Sequence, residues 1–212
     1  MSPARPPVWH GRLASALADA GLAGSLTAVE RLAAYVQELA RWSGRMSLTT
    51  LEPAGIVERL VKPSLAIATL APYRSAGAVA DLGSGGGIPG IPLQVAAPRR
   101  RFVLIEARQR RAVFLRHAVR ALGLAGVEVV EGRAEALAWQ GEERVDLVVS
   151  RAVAPIATLL PWCAGLLRPG GAVVVAVGDM AAVAGGLPAG WEEGERVATP
   201  GGVIRSFVDC ST

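Results

Sequence analysis

The feature that most constrains the fold is a run of glycines that follows a short apolar stretch. Residues Ala78–Leu82 are apolar apart from Asp81, and the chain continues as GSGGGIPG at residues 83–90. Glycine adopts backbone conformations that other residues avoid, and it lets the main chain approach a ligand closely. A helix that begins after such a turn presents free N–H groups. The segment therefore predicts a strand, a ligand-binding turn and a helix, as in α/β proteins.

Strands and helices alternate from residue 78 onwards. Apolar runs predict five strands: Ala78–Leu82, Arg101–Glu106, Val127–Glu131, Val145–Ser150 and Ala172–Val177. Helices are predicted at Arg108–Leu122 and Pro155–Leu167, and residues 169–171 predict a turn. This order predicts an α/β fold, with a parallel sheet covered by helices on both faces. The chain ends differently, because Trp191–Ala198 and Val203–Asp209 predict an antiparallel hairpin around residues 199–202.

The N-terminal third of the chain has a helical pattern. Thr27 and Glu30 have the spacing of a capping box, apolar residues follow at helical spacing, and Gly44 marks the expected end. A second helical stretch is predicted at Ala54–Leu70, interrupted near Pro63. We therefore expect a helical extension at residues 1–72, packed as one unit with an α/β domain at residues 73–212.

Composition limits the class of protein. The chain has 212 residues, 51% of them hydrophobic, without an uncharged, unbroken apolar stretch of the ~18 residues that a membrane span requires. The N-terminus lacks the apolar region of a signal peptide, so we expect a cytoplasmic protein. Cys163 and Cys210 lack metal-ligand spacing, and there are two histidines. We expect reduced cysteines, no metal site, no membrane association and a monomer.

Positive charge is concentrated in one part of the sequence. The net charge is +4, and eight arginines fall within 22 residues: Arg99, Arg100, Arg101, Arg108, Arg110, Arg111, Arg116 and Arg120. Such a cluster fits a polyanionic partner such as nucleic acid. It fits equally well a solvated helix face whose arginine stems cover apolar surface.

A carboxylate stands where a nucleoside cofactor would need it. Glu106 ends the second predicted strand, 23 residues after Gly83. A carboxylate at that point can accept hydrogen bonds from both ribose hydroxyls. Gly85, Gly87 and Gly90 also satisfy the G-x-G-x-x-G pattern of dinucleotide sites. The glycines alone leave S-adenosylmethionine and a dinucleotide both open.

Four segments resemble one family. Residues 81–92 are similar to the D-x-G-S/T-G-x-G-L/I-P-G-I-P signature of the glucose-inhibited division protein B family, the bacterial small-subunit ribosomal RNA guanine-N7 methyltransferases. LIEARQRRAVFL at residues 104–115, GRAE at 132–135 and SRA at 150–152 resemble further family segments in the same order. The resemblance implies a class I, Rossmann-like methyltransferase fold ending in an antiparallel hairpin. It also implies S-adenosylmethionine as cofactor and 16S ribosomal RNA or the small ribosomal subunit as partner.

The resemblance implies a role for each matching position on the cofactor side. Gly83, Gly85 and Ile88 would line the methionine and ribose part of the cofactor, and Glu106 would hold the ribose. Ala134, with Glu135 beside it, would face the adenine.

Arg151 would lie at the mouth of the site, where it would both contact the cofactor and act in catalysis near the target base. Arg108, Arg110 and Arg111 are candidate phosphate contacts. Trp42 and Tyr73 are each either a stacking surface for a base or part of the core.

The chain departs from the family pattern where substrate is expected. Ser47 replaces the asparagine of N-L-T, Leu60 and Pro63 replace the histidine and aspartate of H-x-x-D-S, and Val177 replaces a lysine before Gly178. These changes leave two alternatives open: a diverged methyltransferase with another substrate, or a non-catalytic protein that binds S-adenosylmethionine or RNA. A nicotinamide oxidoreductase is less favoured because the chain has no Tyr-x-x-x-Lys pair.

Overall fold

The centre of the protein is a sheet built from the predicted strands. The computed structural model describes residues 9–137, 139–151, 153–177, 186–200 and 202–210. Within these ranges seven strands form one sheet in the order β3-β2-β1-β4-β5-β7-β6. The strands are β1 (Ala78–Leu82), β2 (Arg101–Glu106), β3 (Val127–Glu131), β4 (Val145–Arg151), β5 (Leu167–Val177), β6 (Trp191–Thr199) and β7 (Gly202–Asp209).

Strands β1 to β5 are parallel, whereas β7 runs antiparallel to both of its neighbours, β5 and β6. The predicted α/β fold and terminal hairpin are therefore confirmed.

Helices cover both faces of the sheet. The α-helices are α1 (Trp9–Asp19), α2 (Leu26–Met46), α3 (Pro53–Ile56), α4 (Lys62–Ala66), α5 (Ala71–Ser75), α6 (Gly90–Ala96), α7 (Gln109–Ala121) and α8 (Ile156–Ala164). Successive strand residues point to opposite faces. Val79 and Leu147 therefore join the core beneath α5 and α6, while Ala80 and Val148 join the core beneath α8.

The N-terminal helices share one hydrophobic core with the α/β part. Leu17 of α1 and Leu32 of α2 are fully buried in a cluster that also contains Leu104 of β2 and Phe114 of α7. Burial of apolar area stabilises such a contact by about 25 cal/mol per Å². The helices at the start of the chain therefore pack directly against the domain that the strands build.

The predicted start of α2 is wrong by two residues. Ser25 is the N-cap, with extended backbone angles, and its hydroxyl accepts a hydrogen bond of 3.1 Å from the main-chain N–H of Ala28. Thr27 lies inside the first turn, so Thr27 and Glu30 do not form the predicted capping box. Serine and threonine are both good N-cap residues, and here Ser25, whose backbone is extended, caps the helix in place of the predicted Thr27.

The predicted end of α2 is also wrong. The helix passes through Gly44 and ends after Met46, where Ser47 adopts a left-handed conformation (φ 50°) and its N–H donates to the carbonyl of Ser43. A left-handed residue is a common helix ending, although glycine usually occupies it.

The second helical stretch continues past Pro63. A π-helical turn at Val57–Val61 leads into α4, and Pro63 is the second residue of α4. Proline cannot donate the N–H bond of a continuing α-helix, and the wider π-helical turn lies directly before it. The predicted interruption is therefore a change of helix type rather than a break.

The predicted turn at residues 169–171 lies within β5, at a register irregularity opposite β4.

Candidate active site

The carboxyl ends of the parallel strands form one cleft. Leu82 at the end of β1 pairs with Ile105 of β2 on one side and with Ser150 of β4 on the other. The cleft has a volume of about 560 Å³. Its lining residues are Leu82, Gly83, Ile105, Glu106, Ala107, Arg108, Arg111, Gly132, Arg133, Ala134, Glu135, Arg151, Val153 and Trp162. Five of the seven predicted site residues lie here, namely Gly83, Glu106, Ala134, Glu135 and Arg151.

The turn after β1 needs glycine for both conformation and space. Gly83 has φ +73° and Gly85 has φ +56°, the left-handed region that favours glycine. A Cβ at Gly83 would lie 2.3 Å from Cγ2 of Val153, so the backbone of the turn and the Val153 side chain are in direct contact. The main-chain N–H groups of Gly83 and Ser84 both donate to the carbonyl of Ile105, which holds the turn against β2.

Glu106 connects the loop that follows β1 with the loop that follows β2. Its Oε2 accepts a hydrogen bond of 2.9 Å from the N–H of Gly85, and its Oε1 accepts one of 2.8 Å from the N–H of Arg108. The residue is 5% exposed, so these bonds satisfy a carboxylate that is almost out of solvent. Each carboxylate oxygen keeps a second lone pair for a ligand. This acceptor set, facing the cleft, fits the ribose hydroxyls of a nucleoside cofactor.

Asp81 supports the glycine turn from below. Its Oδ2 accepts a hydrogen bond of 3.0 Å from the N–H of Gly90 at the start of α6, and its carbonyl accepts the Ser84 hydroxyl at 2.8 Å. Its Oδ1 is buried and has no hydrogen-bond partner among the described residues. Burial raises the pKa of Asp81 to about 7, and the nearby charge of Glu106 adds to the rise. The side chain is therefore partly protonated near neutral pH.

The far wall of the cleft follows β3. Ala134 is 8% exposed and begins a 3₁₀ turn, Ala134–Ala136, whereas Glu135 is exposed and pairs with Arg133 across 3.4 Å. A buried alanine beside an exposed carboxylate offers an apolar surface with a polar edge. Such a surface suits a flat heteroaromatic ring that has one hydrogen-bonding edge.

The near wall is the end of β4. The Ser150 hydroxyl is buried and donates to the carbonyl of Leu82 across 2.9 Å, which fixes the end of β4 against the end of β1. Arg151 follows at the exposed end of the strand. Partial burial lowers the pKa of Arg151, and repulsion from Arg59 lowers it further. Arg151 is thus within electrostatic reach of side chains from the N-terminal helices.

Ile88 occupies a different environment from the other predicted residues. It is 7% exposed and packs in the core with Ile91 and Leu104, behind the glycine turn. Trp162 of α8 and Arg111 of α7 also line the cleft. Arg111 was predicted only as a phosphate contact and Trp162 was not predicted at all, because α7 and α8 present these side chains to the cleft only after the sheet has formed.

The arginine-rich segment does not form one patch. Arg100 lies at the start of β2, donates to the main-chain carbonyls of Tyr73 and Arg74, and places its guanidinium over the Tyr73 ring. Arg108 and Arg110 are exposed at the opposite end of the strand, beside the cleft. The six residues of β2 separate the two groups by roughly 20 Å. Only the second group is placed to meet a ligand of the cleft.

The two aromatic candidates for base stacking are used inside the protein. Tyr73 is 1% exposed and its hydroxyl donates to the carbonyl of Leu93, so neither ring face is open to a base. Trp42 is partly buried against Phe114 and His117 of α7. Packing between layers therefore explains both residues.

No helix within the described ranges is both long enough and apolar enough to cross a bilayer. In the same ranges, no three side chains of the metal-binding types His, Cys, Asp and Glu come together as a ligand group. Ala152, Gly178 and Gly201, which belong to predicted motifs or turns, lie outside the described residues.

Comparison with known proteins agrees with the fold and the motifs. Residues 28–184 match the GidB family, described as rRNA small subunit methyltransferase G. The ribosomal RNA small subunit methyltransferase G of Rubrobacter xylanophilus is 41% identical over 162 residues, which are 76% of this chain and 62% of that protein. The Stenotrophomonas maltophilia protein of the same name is 39% identical over 194 residues, 89% of this chain and 85% of that protein.

Among solved structures, the O-methyltransferase TomG from Streptomyces achromogenes, in complex with SAM, has the same fold. It has a TM-score of 0.55 at 20% identity and covers 84% of this chain and 90% of its own. The family match covers most of the chain, and its motifs surround the cleft. The chain therefore belongs to the GidB family, the rRNA small subunit methyltransferases G.

Proposed function

We propose that this chain transfers a methyl group from S-adenosylmethionine to N7 of a guanine in 16S ribosomal RNA. The observation that carries the proposal is the buried Glu106. Its carboxylate accepts main-chain hydrogen bonds from the loops after β1 and β2, lines the cleft and keeps further lone pairs for a ligand. Family membership and the names of the relatives support the same reaction.

The proposed cofactor site uses both walls of the cleft. Gly83 and Gly85 would let the main chain approach the methionine and ribose part, and Glu106 would accept from the ribose hydroxyls. Ala134 and Glu135 would meet the adenine. Ile88 would act through the backbone of the turn, since its side chain packs in the core.

Methyl transfer to guanine N7 requires no removal of a proton by the protein. When bound, S-adenosylmethionine supplies an electrophilic methyl group, and guanine N7 already carries a lone pair. The residues of the chain therefore need to hold the two reactants in line and to exclude water, and positioning of this kind lowers the barrier substantially. We assign Arg151 to the boundary between cofactor and target base, as a catalytic residue. Its guanidinium would contact the base or the methionine end, next to Val153.

RNA would reach the cleft past Arg108, Arg110 and Arg111, since these arginines lie at the carboxyl edge of the sheet. Phosphate contacts of this kind orient a nucleic acid without reading its sequence. We further propose that the enzyme acts in the cytoplasm, as a monomer, on free ribosomal RNA or on the assembled small subunit.

A second candidate is methyl transfer to another acceptor. Leu60, at a position where the family pattern has histidine, is 6% exposed and packs in the core shared with α1 and α2. Pro63, at the position of the aspartate, lies in the first turn of α4. Two polar side chains of the family pattern are thus replaced by apolar ones, which favours a changed substrate contact.

The test is methyl transfer from labelled S-adenosylmethionine to unmodified 16S ribosomal RNA and to small-subunit particles, with the product base identified by mass spectrometry. We expect 7-methylguanine at one site and a large loss of transfer in Arg151→Ala. The control is Arg168→Ala, an arginine at the start of β5 that pairs with Asp146 at the other end of the sheet. Transfer to a different base, or none to either acceptor, would reject the proposed substrate. Full activity of Arg151→Ala would remove Arg151 from the mechanism.

A further inference from the structure

A tyrosine from the N-terminal helices reaches the glycine turn. Tyr35 lies in the middle of α2 and is fully buried. Its hydroxyl donates a hydrogen bond of 2.6 Å to the carbonyl of Gly86, 51 residues further along the chain. The bond joins the helical extension to the backbone of the loop that would hold the cofactor.

The same face of α2 also packs on that loop. Leu39 is one helical turn after Tyr35 and therefore on the same side of the helix. The position of a Cβ on Gly86 would be 2.8 Å from Cδ1 of Leu39, so the Leu39 side chain lies directly over the glycine. Gly86 is thus held by one polar and one apolar contact, both from α2.

The hydrogen bond from Tyr35 acts at a sensitive point of the turn. Gly87, the next residue, has φ +86°, and its N–H donates to the carbonyl of Ser84. The Gly86 carbonyl belongs to the peptide unit that leads into this left-handed residue, so fixing the carbonyl fixes the orientation of that peptide. Burial raises the pKa of Tyr35 well above its usual value, which keeps the hydroxyl a donor.

Helix α2 also contacts the helix that follows the second loop of the cleft. Glu38, three residues after Tyr35, is hydrogen-bonded to Nε2 of His117 at 2.8 Å. His117 lies on α7, the helix that follows Glu106 and Arg108. One helix of the extension is therefore bonded both to the turn after β1 and to the helix after β2.

We propose that Tyr35 is a positioning residue for cofactor binding, which holds the glycine turn in its binding shape from the N-terminal helix α2. The inference rests on the proposed use of S-adenosylmethionine. Without the hydroxyl, the turn would spend part of its time in other conformations, and the apparent affinity would fall in proportion to the competent fraction. The extension would then be part of the cofactor site as well as a neighbour of the substrate side.

The test is the affinity of purified protein for S-adenosylhomocysteine, measured by calorimetry for Tyr35→Phe. The matched control is Tyr73→Phe, because Tyr73 is also buried and its hydroxyl also donates to a main-chain carbonyl, that of Leu93, away from the turn. We expect the dissociation constant to rise about threefold to tenfold in Tyr35→Phe, as for one lost buried hydrogen bond, and to stay unchanged in Tyr73→Phe. In methyl transfer, KM for S-adenosylmethionine should rise while kcat at saturation is retained.

Each alternative outcome has a definite meaning. Equal affinity in Tyr35→Phe and the unaltered protein, with a lower Tm in the variant, would overturn the inference and leave the proposed function intact. Absence of binding in the unaltered protein would overturn both. If Tyr35→Phe does not fold, hydrogen exchange on the unaltered protein decides: S-adenosylhomocysteine should slow exchange in α2 around Tyr35 more than in α1. Equal protection of the two helices would refute the coupling.

Discussion

Glu106 and Glu131 are register partners at the carboxyl ends of β2 and β3, yet they occupy opposite environments. Glu106 is 5% exposed and accepts two main-chain hydrogen bonds, whereas Glu131 is exposed and pairs with Arg116 across 3.3 Å. Two glutamates one strand apart therefore differ in role: the first holds the loops of the cleft together and lines the cleft, and the second is solvated.

This difference predicts the effect of an isosteric change at each site. Glu106→Gln replaces one carboxylate oxygen by an NH2 group, which donates hydrogen bonds and cannot accept one. We expect binding of S-adenosylhomocysteine to weaken by about tenfold or more, since hydrogen bonds to charged groups contribute about 1.5–3 kcal/mol. Glu131→Gln should change affinity less than about twofold. Calorimetric titration of both variants checks this, and equal effects at the two positions would argue against the ribose role of Glu106.

Gly83 provides a second prediction, based on space rather than charge. In Gly83→Ala the new methyl group would meet Val153 and would require a left-handed alanine, so cofactor binding should fall sharply. Gly123→Ala is the control, because Gly123 has φ +63° but nothing within 4 Å of the added Cβ. Both variants should lose about 1–2 kcal/mol of stability from the backbone conformation alone. Retention of full affinity in Gly83→Ala would show that the turn tolerates displacement of Val153.

The raised pKa of Asp81 predicts a pH dependence of stability. In the native state Asp81 keeps its proton up to about pH 7, whereas in the unfolded chain it loses it near pH 4. Between these values unfolding releases a proton, so the contribution of Asp81 to stability is present below about pH 4 and is lost as pH rises through about 7. Urea unfolding should therefore show the stability of the wild type falling relative to Asp81→Asn, by a few kcal/mol, across this window. If the free energies of unfolding of the two proteins changed with pH in parallel, the raised pKa of Asp81 would be contradicted.

The terminal hairpin contains a carboxylate with the opposite shift. Glu193 accepts bidentate hydrogen bonds of 2.6 Å from the buried Arg205 and pairs also with the exposed Arg196, and these bonds lower the pKa of Glu193 to about 2. Its contribution to stability is present above the unfolded pKa near 4 and is lost as pH falls towards 2.

We expect Glu193→Gln to cost about 1–3 kcal/mol at neutral pH, because it weakens the pairing of a buried guanidinium. Arg196→Ala should cost much less stability, since that arginine is exposed. Thermal and urea unfolding of the two variants provide the comparison. A larger loss of stability in Arg196→Ala would show that the exposed pair, rather than the buried one with Arg205, contributes most.

The sheet could be predicted because its signals are local. Strands β1, β2 and β3 have the bounds that their apolar runs indicate, and the hairpin of β6 and β7 differs from its prediction by one residue at each inner end. Glu106 could be singled out because a carboxylate at the end of a second strand has a direct chemical use, and the structure places it in the lining of the cleft. The predicted start of α2 was wrong because two nearby hydroxyl residues, Ser25 and Thr27, are both suited to cap a helix.

Contacts between distant parts of the chain could not be predicted in the same way. The bond of Tyr35 to Gly86 and the bond of Ser150 to Leu82 each join residues more than fifty positions apart. In the sequence, Tyr35 is one more apolar residue on a helix face, and only the packing of α2 on the glycine turn gives its hydroxyl a partner. The division at residues 72 and 73, and the roles of the individual site residues, stay predictions.

The core shared by the N-terminal helices and the α/β part has a consequence for synthesis of the chain. Leu17 and Leu32 leave the ribosome early, but Leu104 and Phe114, against which their cluster is completed, are translated some seventy to one hundred residues later. Until then the nascent helices have an apolar face without its partner, and such faces are prone to association. The start of this chain is therefore committed to its final structure only after the strand that carries Glu106 and the helix beyond it have been made.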